Sequence, residues 1–212
     1  MPLKLLDNPV LWETSRVALD LTFGLYRRRI ALMRRWRILD GDPSILDIGC
    51  GIGQYAGVTR GDYLGVDLND RYLDWARRRR GGSSRAFRSV DVRELAAEGR
   101  RFDLVLMVDF LHHLADDACI DVLESARALA GNHVVSFEPV TVQPRALGRW
   151  IVENDRGDHV RSLSRLEELL GRAGLDPSRN EALQLGPINT RAILCPGGRD
   201  RPRDAHPVPA RE

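Results

Sequence analysis

The chain has no long apolar run and no clear excess of charge. No segment approaches the roughly 18 consecutive apolar residues that a membrane-spanning helix requires, and residues 1–10 lack the charged start and apolar stretch of a secretory signal. Lysine and arginine total 32 against 30 aspartate and glutamate, a net charge of +2. A charge balance this even does not indicate nucleic acid or an anionic membrane as a partner.

Cysteine is scarce as well. The three cysteines, Cys50, Cys119 and Cys195, have no metal-ligand spacing, and their number is odd. Free thiols in a reducing compartment are the simplest interpretation of such cysteines. We therefore expect a cytoplasmic protein without a structural metal.

Apolar runs of strand length alternate with amphipathic segments along the chain. Asn8-Pro9 predicts a helix start, and the helical pattern continues, with a break, to Leu39. Further helices are predicted at 72–80, 117–129 and 163–173. Strands are predicted at 44–48, 63–66, 87–90, 102–108, 133–137, 182–185 and 190–195. This alternation indicates an α/β fold with a mostly parallel seven-stranded sheet and helices on both faces.

The segment 45–53, Ile-Leu-Asp-Ile-Gly-Cys-Gly-Ile-Gly, has the pattern of a buried strand that ends in a turn with three glycines. Glycine lets the backbone approach a ligand closely, and ligands of open parallel sheets bind beyond the carboxyl ends of the strands. Asp67 ends the next predicted strand, where a carboxylate can accept hydrogen bonds from both hydroxyls of a ribose. Together these features predict a site for an adenosine-containing ligand.

The glycine spacing distinguishes between classes of nucleotide ligand. The dinucleotide pattern requires a third glycine where this chain has Gln54, whereas Gly53 completes a G-x-G-x-G pattern. No Gly-Lys-Ser/Thr sequence ends the turn, so a phosphate loop is not indicated either. Asp47, just before the glycines, suits a ligand with an ammonium group, such as the α-amino group of a methionine. A nicotinamide-dependent oxidoreductase is thus the least favoured enzyme class.

Four motifs in order resemble those of class I S-adenosylmethionine-dependent methyltransferases, in particular small-molecule enzymes with a methyltransferase type 11/12-like domain. They are the glycine turn, the acidic strand end at Asp67, the segment 89–92 (Ser-Val-Asp-Val), and the segment 102–114 that ends in Leu-His-His-Leu. The resemblance implies a Rossmann-like fold with an N-terminal helical segment. It also implies S-adenosylmethionine as cofactor and S-adenosylhomocysteine as product.

The resemblance extends from Leu39 to about Cys195 and is most specific as far as Phe137. One departure is the short stretch between Gly53 and Tyr63, which leaves room for only a shortened first helix. We expect a single methyltransferase domain, 1–196, followed by a disordered tail, 197–212. Within the domain we expect four parts: a helical cap at 1–40, a cofactor-binding core at 41–140, a substrate-pocket insertion at 141–162, and a final helix with two strands at 163–196.

The resemblance also implies a set of cofactor-binding residues. The glycine turn would surround the methionine half, Asp67 would bind the ribose, Asp91 would accept a hydrogen bond from the exocyclic amine of adenine, and the backbone of Val92 would meet the ring. The expected set is Asp47, Gly49, Cys50, Gly51, Gly53, Asp67, Leu68, Asp91, Val92 and Val108.

The candidate catalytic residues are His113, His159 and Glu138. A sulfonium methyl is already electrophilic, so a base is needed only where the acceptor must lose a proton. His112 and His113 follow the fourth strand, and either could contact substrate, pack against the adenosine or cap the next helix. His159 lies in the polar segment 153–161, which is either an acceptor pocket or an ordinary solvated loop. Glu138 could orient an acceptor, cap a turn or pair with an arginine.

The motifs favour methyl transfer to an oxygen, nitrogen or carbon of a small-molecule acceptor by a monomer or homodimer. Arginine runs at 27–29 and 77–80, the first flanked by Tyr26 and Trp36, would suit an anionic acceptor, and they keep an RNA or protein methyltransferase open. A non-catalytic cofactor-binding subunit is also open, because a fold does not guarantee the chemistry.

Overall fold

Seven strands form one sheet in the computed structural model of this chain, which describes residues 8–143, 145–153 and 157–198. In chain order they are β1 (Ile45–Ile48), β2 (Tyr63–Asp67), β3 (Arg85–Ser89), β4 (Phe102–Val108), β5 (Ala130–Pro139), β6 (Arg179–Leu185) and β7 (Ile188–Pro196). The strand order across the sheet is β3-β2-β1-β4-β5-β7-β6. Strands β1 to β5 are parallel, whereas β7 is antiparallel to both of its neighbours. The predicted α/β class and mostly parallel sheet are confirmed.

Seven α-helices surround this sheet within the described residues. They are α1 (Pro9–Phe23), α2 (Leu25–Arg35), α3 (Asp70–Arg80), α4 (Val92–Ala97), α5 (Asp116–Leu129), α6 (Ala146–Glu153) and α7 (Leu163–Arg172). The Asn8 side chain caps α1, and the predicted break falls at Gly24, whose φ is +68°. In the part of the chain that is described, no helix is both long and apolar enough to cross a membrane.

Two features differ from the sequence-based expectation. Helices α4 and α6 are not predicted, because α4 has only six residues and α6 lies in the segment 141–162, which is interpreted as a substrate-pocket insertion. The shortened helix expected between β1 and β2 is replaced by consecutive turns, closed by bonds such as that from the Gly53 N–H to the Cys50 carbonyl. Of the tail predicted at 197–212, residues 199–212 lie outside the described residues.

Alternating residues of the strands face two separate cores. In β4, Val105 and Met107 face the core beneath α4, α5 and α7, whereas Leu104 and Leu106 face the core beneath α2 and α3. This is the two-residue period of a strand that is buried on both faces. The sheet is thus held between helices on both sides, and the carboxyl ends of its parallel strands open towards one edge.

The third glycine of the turn after β1 packs against the sheet. Gly53 has a φ of +74°, and a Cβ at this position would lie 2.5 Å from the Phe87 ring of β3. Gly57, four residues later, has no heavy atom within 4 Å of an added Cβ. Gly53 is therefore needed for both backbone conformation and packing, whereas Gly57 is needed for neither.

We expect Gly53→Ala to lower the free energy of unfolding by about 2–4 kcal/mol, because it combines a left-handed backbone with an overpacked contact. Gly57→Ala is the matched control and should change it by no more than about 1 kcal/mol. Urea unfolding followed by circular dichroism measures both. Equal midpoints for the two variants would contradict this account of the turn.

Candidate functional site

A cavity of about 320 Å³ opens at the carboxyl ends of β1, β2 and β4. The sheet order reverses between β1 and β4, which is where ligands of such sheets bind. The volume of the cavity lies at the lower end of the range for small-molecule sites. Among the described residues, the cavity is lined by Arg29, Asp47, Gly49, Cys50, Gly51, Ile52, Gln54, Tyr55, Asp67, Asn69, Tyr72, Val108, Asp109, Phe110, His112 and His113.

The glycine corner, which we define as Gly49 to Gly51, forms one wall. Gly49 has a φ of +69°, and a Cβ there would lie 2.2 Å from the Phe110 ring, so no other residue fits. At Gly51 an added Cβ would meet nothing closer than the Tyr72 ring at 3.9 Å, so the backbone is open towards the cavity. The Asp67 carboxylate holds the corner, because its Oδ2 accepts the Gly51 N–H at 2.8 Å.

Asp47 is a buried carboxyl group in the cavity wall. It is 2% exposed, and its Oδ2 accepts a hydrogen bond of 2.6 Å from the Tyr63 hydroxyl. Burial raises the pKa of Asp47 to about 7, and the nearby Asp67 adds to this, while the Tyr63 hydrogen bond opposes it. A cation bound beside this carboxyl would relieve the cost of burying its charge. The site therefore favours a positively charged group here.

A short 3₁₀ turn, Leu111–His113, forms the β4 side of the cavity, and Glu138 in β5 holds it from behind. Glu138 Oε1 accepts the N–H groups of Phe110 and Leu111 at 3.0 and 2.9 Å. Its Oε2 lies 2.8 Å from Nδ1 of His112 and also accepts the His112 N–H. Glu138 is buried and does not line the cavity, so the structure gives it the turn-capping role, and it orients the ring of His112.

The other two candidate histidines differ in position. His113 is exposed, lines the cavity and lies against His112, with ring centroids 4.2 Å apart. His159 is also exposed, but its side chain does not line the cavity, and its N–H donates to the His112 carbonyl. Part of the polar segment around His159, residues 154–156, lies outside the described residues.

An ion pair that the sequence does not predict forms another part of the cavity wall. Arg29 in α2 is 1% exposed, and its Nη1 and Nη2 donate to the two Asp109 carboxylate oxygens at 2.9 and 2.7 Å. Nη1 also lies 3.4 Å from the Tyr55 hydroxyl. Burial opposes the charge, but Asp109 and Tyr55 hold the pKa of Arg29 above its usual range. Asp109 has a φ of +50°, a strained conformation of the kind found at functional sites.

The pattern of α2 does carry a signal for Arg29. Leu25, Arg29, Leu32 and Met33 share the helical face that is buried. An arginine in the middle of an apolar face needs a buried partner, whereas the exposed Arg27 and Arg28 of the same run do not.

The sequence of residues 45–131 matches the model of a family described as "Methyltransferase domain". That range contains β1 to β4, the glycine corner and the turn with His112. Within residues 45–131 the chain is therefore similar to this methyltransferase family. This match agrees with the resemblance that the four motifs indicate.

The curated relatives of this methyltransferase-domain chain are named as ubiquinone biosynthesis O-methyltransferases. That of Cereibacter sphaeroides is 28% identical over 163 residues, which cover 68% of this chain and 65% of the relative. That of Sinorhizobium fredii is 31% identical over 137 residues, which cover 59% of this chain and 55% of the relative. The chain therefore spans less than two thirds of the length of these relatives.

Solved structures share the fold of this chain at low sequence identity. The magnesium protoporphyrin IX methyltransferase of Synechocystis, solved with bound S-adenosylhomocysteine, is 18% identical, has a TM-score of 0.62, and aligns over 80% of this chain and 81% of its own. A (4+2)-cyclase is also 18% identical, has a TM-score of 0.63, and aligns over 80% of both chains. These likenesses establish the fold.

The structure brings six of the ten predicted cofactor-binding residues to the cavity of the methyltransferase domain. Asp47, Gly49, Cys50, Gly51, Asp67 and Val108 line it. Gly53, Leu68, Asp91 and Val92 do not. Gly53 packs against Phe87, and the Leu68 side chain is exposed.

The segment predicted to bind adenine has a structural role in this fold. Asp91 is the N-cap of α4, where its side chain accepts the Arg93 N–H at 2.9 Å and binds the Arg93 guanidinium. This contact with Arg93 lowers the pKa of Asp91. Val92 is buried in the core. The pattern Ser-Val-Asp-Val thus coincides with the start of a helix that the residue pattern does not predict.

Within the described residues, no group of three or more His, Cys, Asp or Glu side chains is arranged to hold a metal ion.

We expect the stability of the ligand-free protein to report the protonation of Asp47. Its folded pKa of about 7 lies above its ordinary value of 3.8, so its contribution to stability is present below about pH 4 and is lost as the pH rises through 7. Between these limits the free energy of unfolding of the wild type should fall by up to about 4 kcal/mol relative to that of Asp47→Asn. Urea unfolding across this pH range measures it, with the exposed Asp62→Asn as control. Parallel pH profiles for wild type and Asp47→Asn would be the contrary result.

We expect Arg29→Met to lower the free energy of unfolding by about 3–5 kcal/mol, because the Asp109 carboxylate would lose its guanidinium partner. The double variant Arg29→Met/Asp109→Asn should regain part of the loss, since no charge is then stranded. Arg27→Met is the matched control and should change stability by less than about 0.5 kcal/mol, because Arg27 is exposed. Thermal or urea unfolding measures all three, and equal losses at positions 27 and 29 would refute the buried role.

Proposed function

We propose that this chain is an S-adenosylmethionine-dependent methyltransferase that methylates an oxygen of a small-molecule acceptor. The observation that carries the proposal is the composition of one cavity: a buried carboxyl group beside an open glycine corner, and a histidine oriented by a buried glutamate. The names of the curated relatives support oxygen as the acceptor atom. Nitrogen and carbon acceptors remain the alternatives.

The residues present fit the cofactor. Asp47 would bind the α-ammonium group, which suits a carboxyl whose charge is disfavoured by burial in the ligand-free protein. The backbone of Gly51 is open for close approach. Each oxygen of Asp67 already accepts one backbone N–H, from Gly51 or Asn69, and each retains a lone pair for a ribose hydroxyl. When bound, the cofactor supplies an electrophilic methyl group on a sulfonium.

His112 is the residue that we propose as the base. Its Nδ1 lies 2.8 Å from the Glu138 carboxylate, which orients the ring and favours the tautomer with the proton on Nδ1. In that tautomer Nε2 carries the lone pair and can accept the hydroxyl proton of the acceptor as its oxygen takes the methyl group. The Glu138 carboxylate then stabilises the imidazolium ion that forms. Burial of both side chains helps to exclude water.

The arginine run at 27–29 gives little support to RNA as the acceptor. Arg29 lines the cavity, but both of its Nη atoms donate to Asp109, while the Arg27 side chain binds Asp20 and the Arg28 side chain donates to the Gln184 carbonyl. The likeness to a (4+2)-cyclase keeps another chemistry on this fold as the second candidate. A cytoplasmic location is part of the proposal and is supported by three cysteines that form no disulfide.

Turnover tests the proposal directly. The protein is incubated with methyl-labelled S-adenosylmethionine and a panel of phenols, catechols, carboxylates and amines, and product is detected by mass spectrometry. We expect label on an oxygen, and a kcat for His112→Gln lower by about 10²- to 10⁴-fold, because it removes a general base.

The affinity of His112→Gln for S-adenosylhomocysteine should stay within about threefold of wild type, since this loss falls on the chemical step and not on binding. His133→Gln is the matched control. His133 lies near the start of β5, away from Glu138 at the other end of that strand, so this variant should retain wild-type turnover. Full activity of His112→Gln would refute the base, and absence of both turnover and cofactor binding would refute the function.

A further inference from the structure

The turn that carries His112 is contacted from a second side by residues 157–161. The His159 N–H donates to the His112 carbonyl at 3.0 Å. Gly157 lies against the imidazole, and a Cβ on this residue would be 2.0 Å from its Cδ2 atom. The end of the predicted substrate-pocket insertion therefore packs directly on His112.

Arg161 is the strongest of these contacts. It is buried, and its Nη1 donates to the Leu111 carbonyl at 2.8 Å while Nη2 donates to the Leu114 carbonyl. Its Nε donates to Asp116 Oδ1 at 2.8 Å. One side chain thus binds the first residue of the turn, the residue that follows the turn, and the first residue of α5.

The turn is held between two buried groups of opposite charge. A single 3₁₀ turn leaves most of its N–H and C=O groups without partners of its own. Glu138 accepts the N–H groups, and Arg161 donates to the carbonyls. Hydrogen bonds to charged groups are about twice as strong as neutral ones, so this arrangement restricts the turn and the ring that it carries.

Arg161 is itself fixed to the end of β5. Its carbonyl accepts the Thr141 N–H at 3.0 Å, and Arg161 forms an isolated parallel bridge with Val140. Val140 follows Glu138 by two residues. The two charged side chains that hold the turn therefore come from adjoining backbone segments and share one frame.

We propose that Arg161 is a positioning residue for methyl transfer: it holds the Leu111–His113 turn so that the imidazole of His112 keeps its orientation at the cavity. Gly157 completes this arrangement by allowing the insertion to lie flat against the ring. The part of the proposal that concerns turnover rests on the proposed function, since it needs His112 as the base. The part that concerns the orientation of the ring does not.

The chain offers a matched control. Arg165 binds the same Asp116 carboxylate, because its Nε and Nη2 donate to Oδ2. Its Nη1 donates to Glu168, which is not part of the turn. Arg161→Gln and Arg165→Gln thus remove one arginine each from the same aspartate. Only the first removes the donors to Leu111 and Leu114.

The test measures the free protein first. Amide hydrogen exchange at Leu111 and His112, and nitrogen-15 NMR of the His112 ring, are recorded for wild type, Arg161→Gln, Arg161→Lys and Arg165→Gln. We expect Arg161→Gln to exchange about tenfold faster or more, the factor that corresponds to losing one hydrogen bond to a charged group, and to show a changed ring tautomer signal. Arg165→Gln should match wild type, and Arg161→Lys should recover part of the protection because it keeps a charged donor.

Gly157→Ala provides an independent variant that leaves Arg161 in place and should shift the same ring signals. With the acceptor identified in the turnover panel, kcat of Arg161→Gln should fall by up to about 100-fold, the scale of a misplaced reactive group, at unchanged affinity for S-adenosylhomocysteine. Wild-type exchange and ring signals in folded Arg161→Gln and Gly157→Ala would overturn the proposal. If no variant and no wild type turns over, the proposed function fails, while the NMR comparison still decides whether Arg161 positions the ring.

Discussion

The cavity depends on one hydrogen bond between neighbouring strands, from the Gly51 N–H to the Asp67 carboxylate. Gly51 lies in a corner where the backbone adopts positive φ angles, and Asp67 ends the adjacent strand β2. The other oxygen of Asp67 accepts the N–H of Asn69, the residue that caps the start of α3. This carboxylate therefore fixes the backbone where β1 and β2 end, and with it one wall of the cavity.

Buried charges organise the rest of the site. Asp47 is buried with a neutral partner, Tyr63, so a cation placed beside it would favour its charged form. Arg29 and Asp109 neutralise each other and bring the N-terminal helix α2 to the cavity wall. Glu138 stabilises the turn, because its two carboxylate oxygens are hydrogen-bonded to backbone N–H groups of the turn and to the ring of His112. The part of the cavity beside Asp47 and the glycine corner therefore favours a positively charged group.

Residue pattern alone predicts the fold well and the site in part. The apolar run of β4 is predicted at its observed bounds, because a strand buried on both faces has a continuous apolar sequence. The glycine corner and Asp67 are predicted because their backbone chemistry is local. Arg29, Asp109 and Tyr55 are not predicted as a group, since residues far apart in sequence meet only through the packing of α2 on the sheet. At Asp91 the pattern does not reveal the helix cap, because a helix cap and a ligand contact use the same residue type, and the predicted adenine contact stays a prediction.

The choice among the histidines also depends on tertiary contacts. His112 and His113 are adjacent and indistinguishable by pattern, yet one is buried against Glu138 and the other is exposed. Only the pairing of β4 with β5 brings Glu138 behind the turn.

The most direct measurement of the central claim is calorimetric titration of the protein with S-adenosylhomocysteine at pH 7 in two buffers of different ionisation enthalpy. Since the pKa of Asp47 is about 7, about half of these carboxyl groups carry a proton before the ligand binds. A bound ammonium group should release it, so the account predicts about half a proton released by wild type and almost none by Asp47→Asn, which should also bind more weakly. Absence of binding, or equal proton release by the two proteins, would contradict the account.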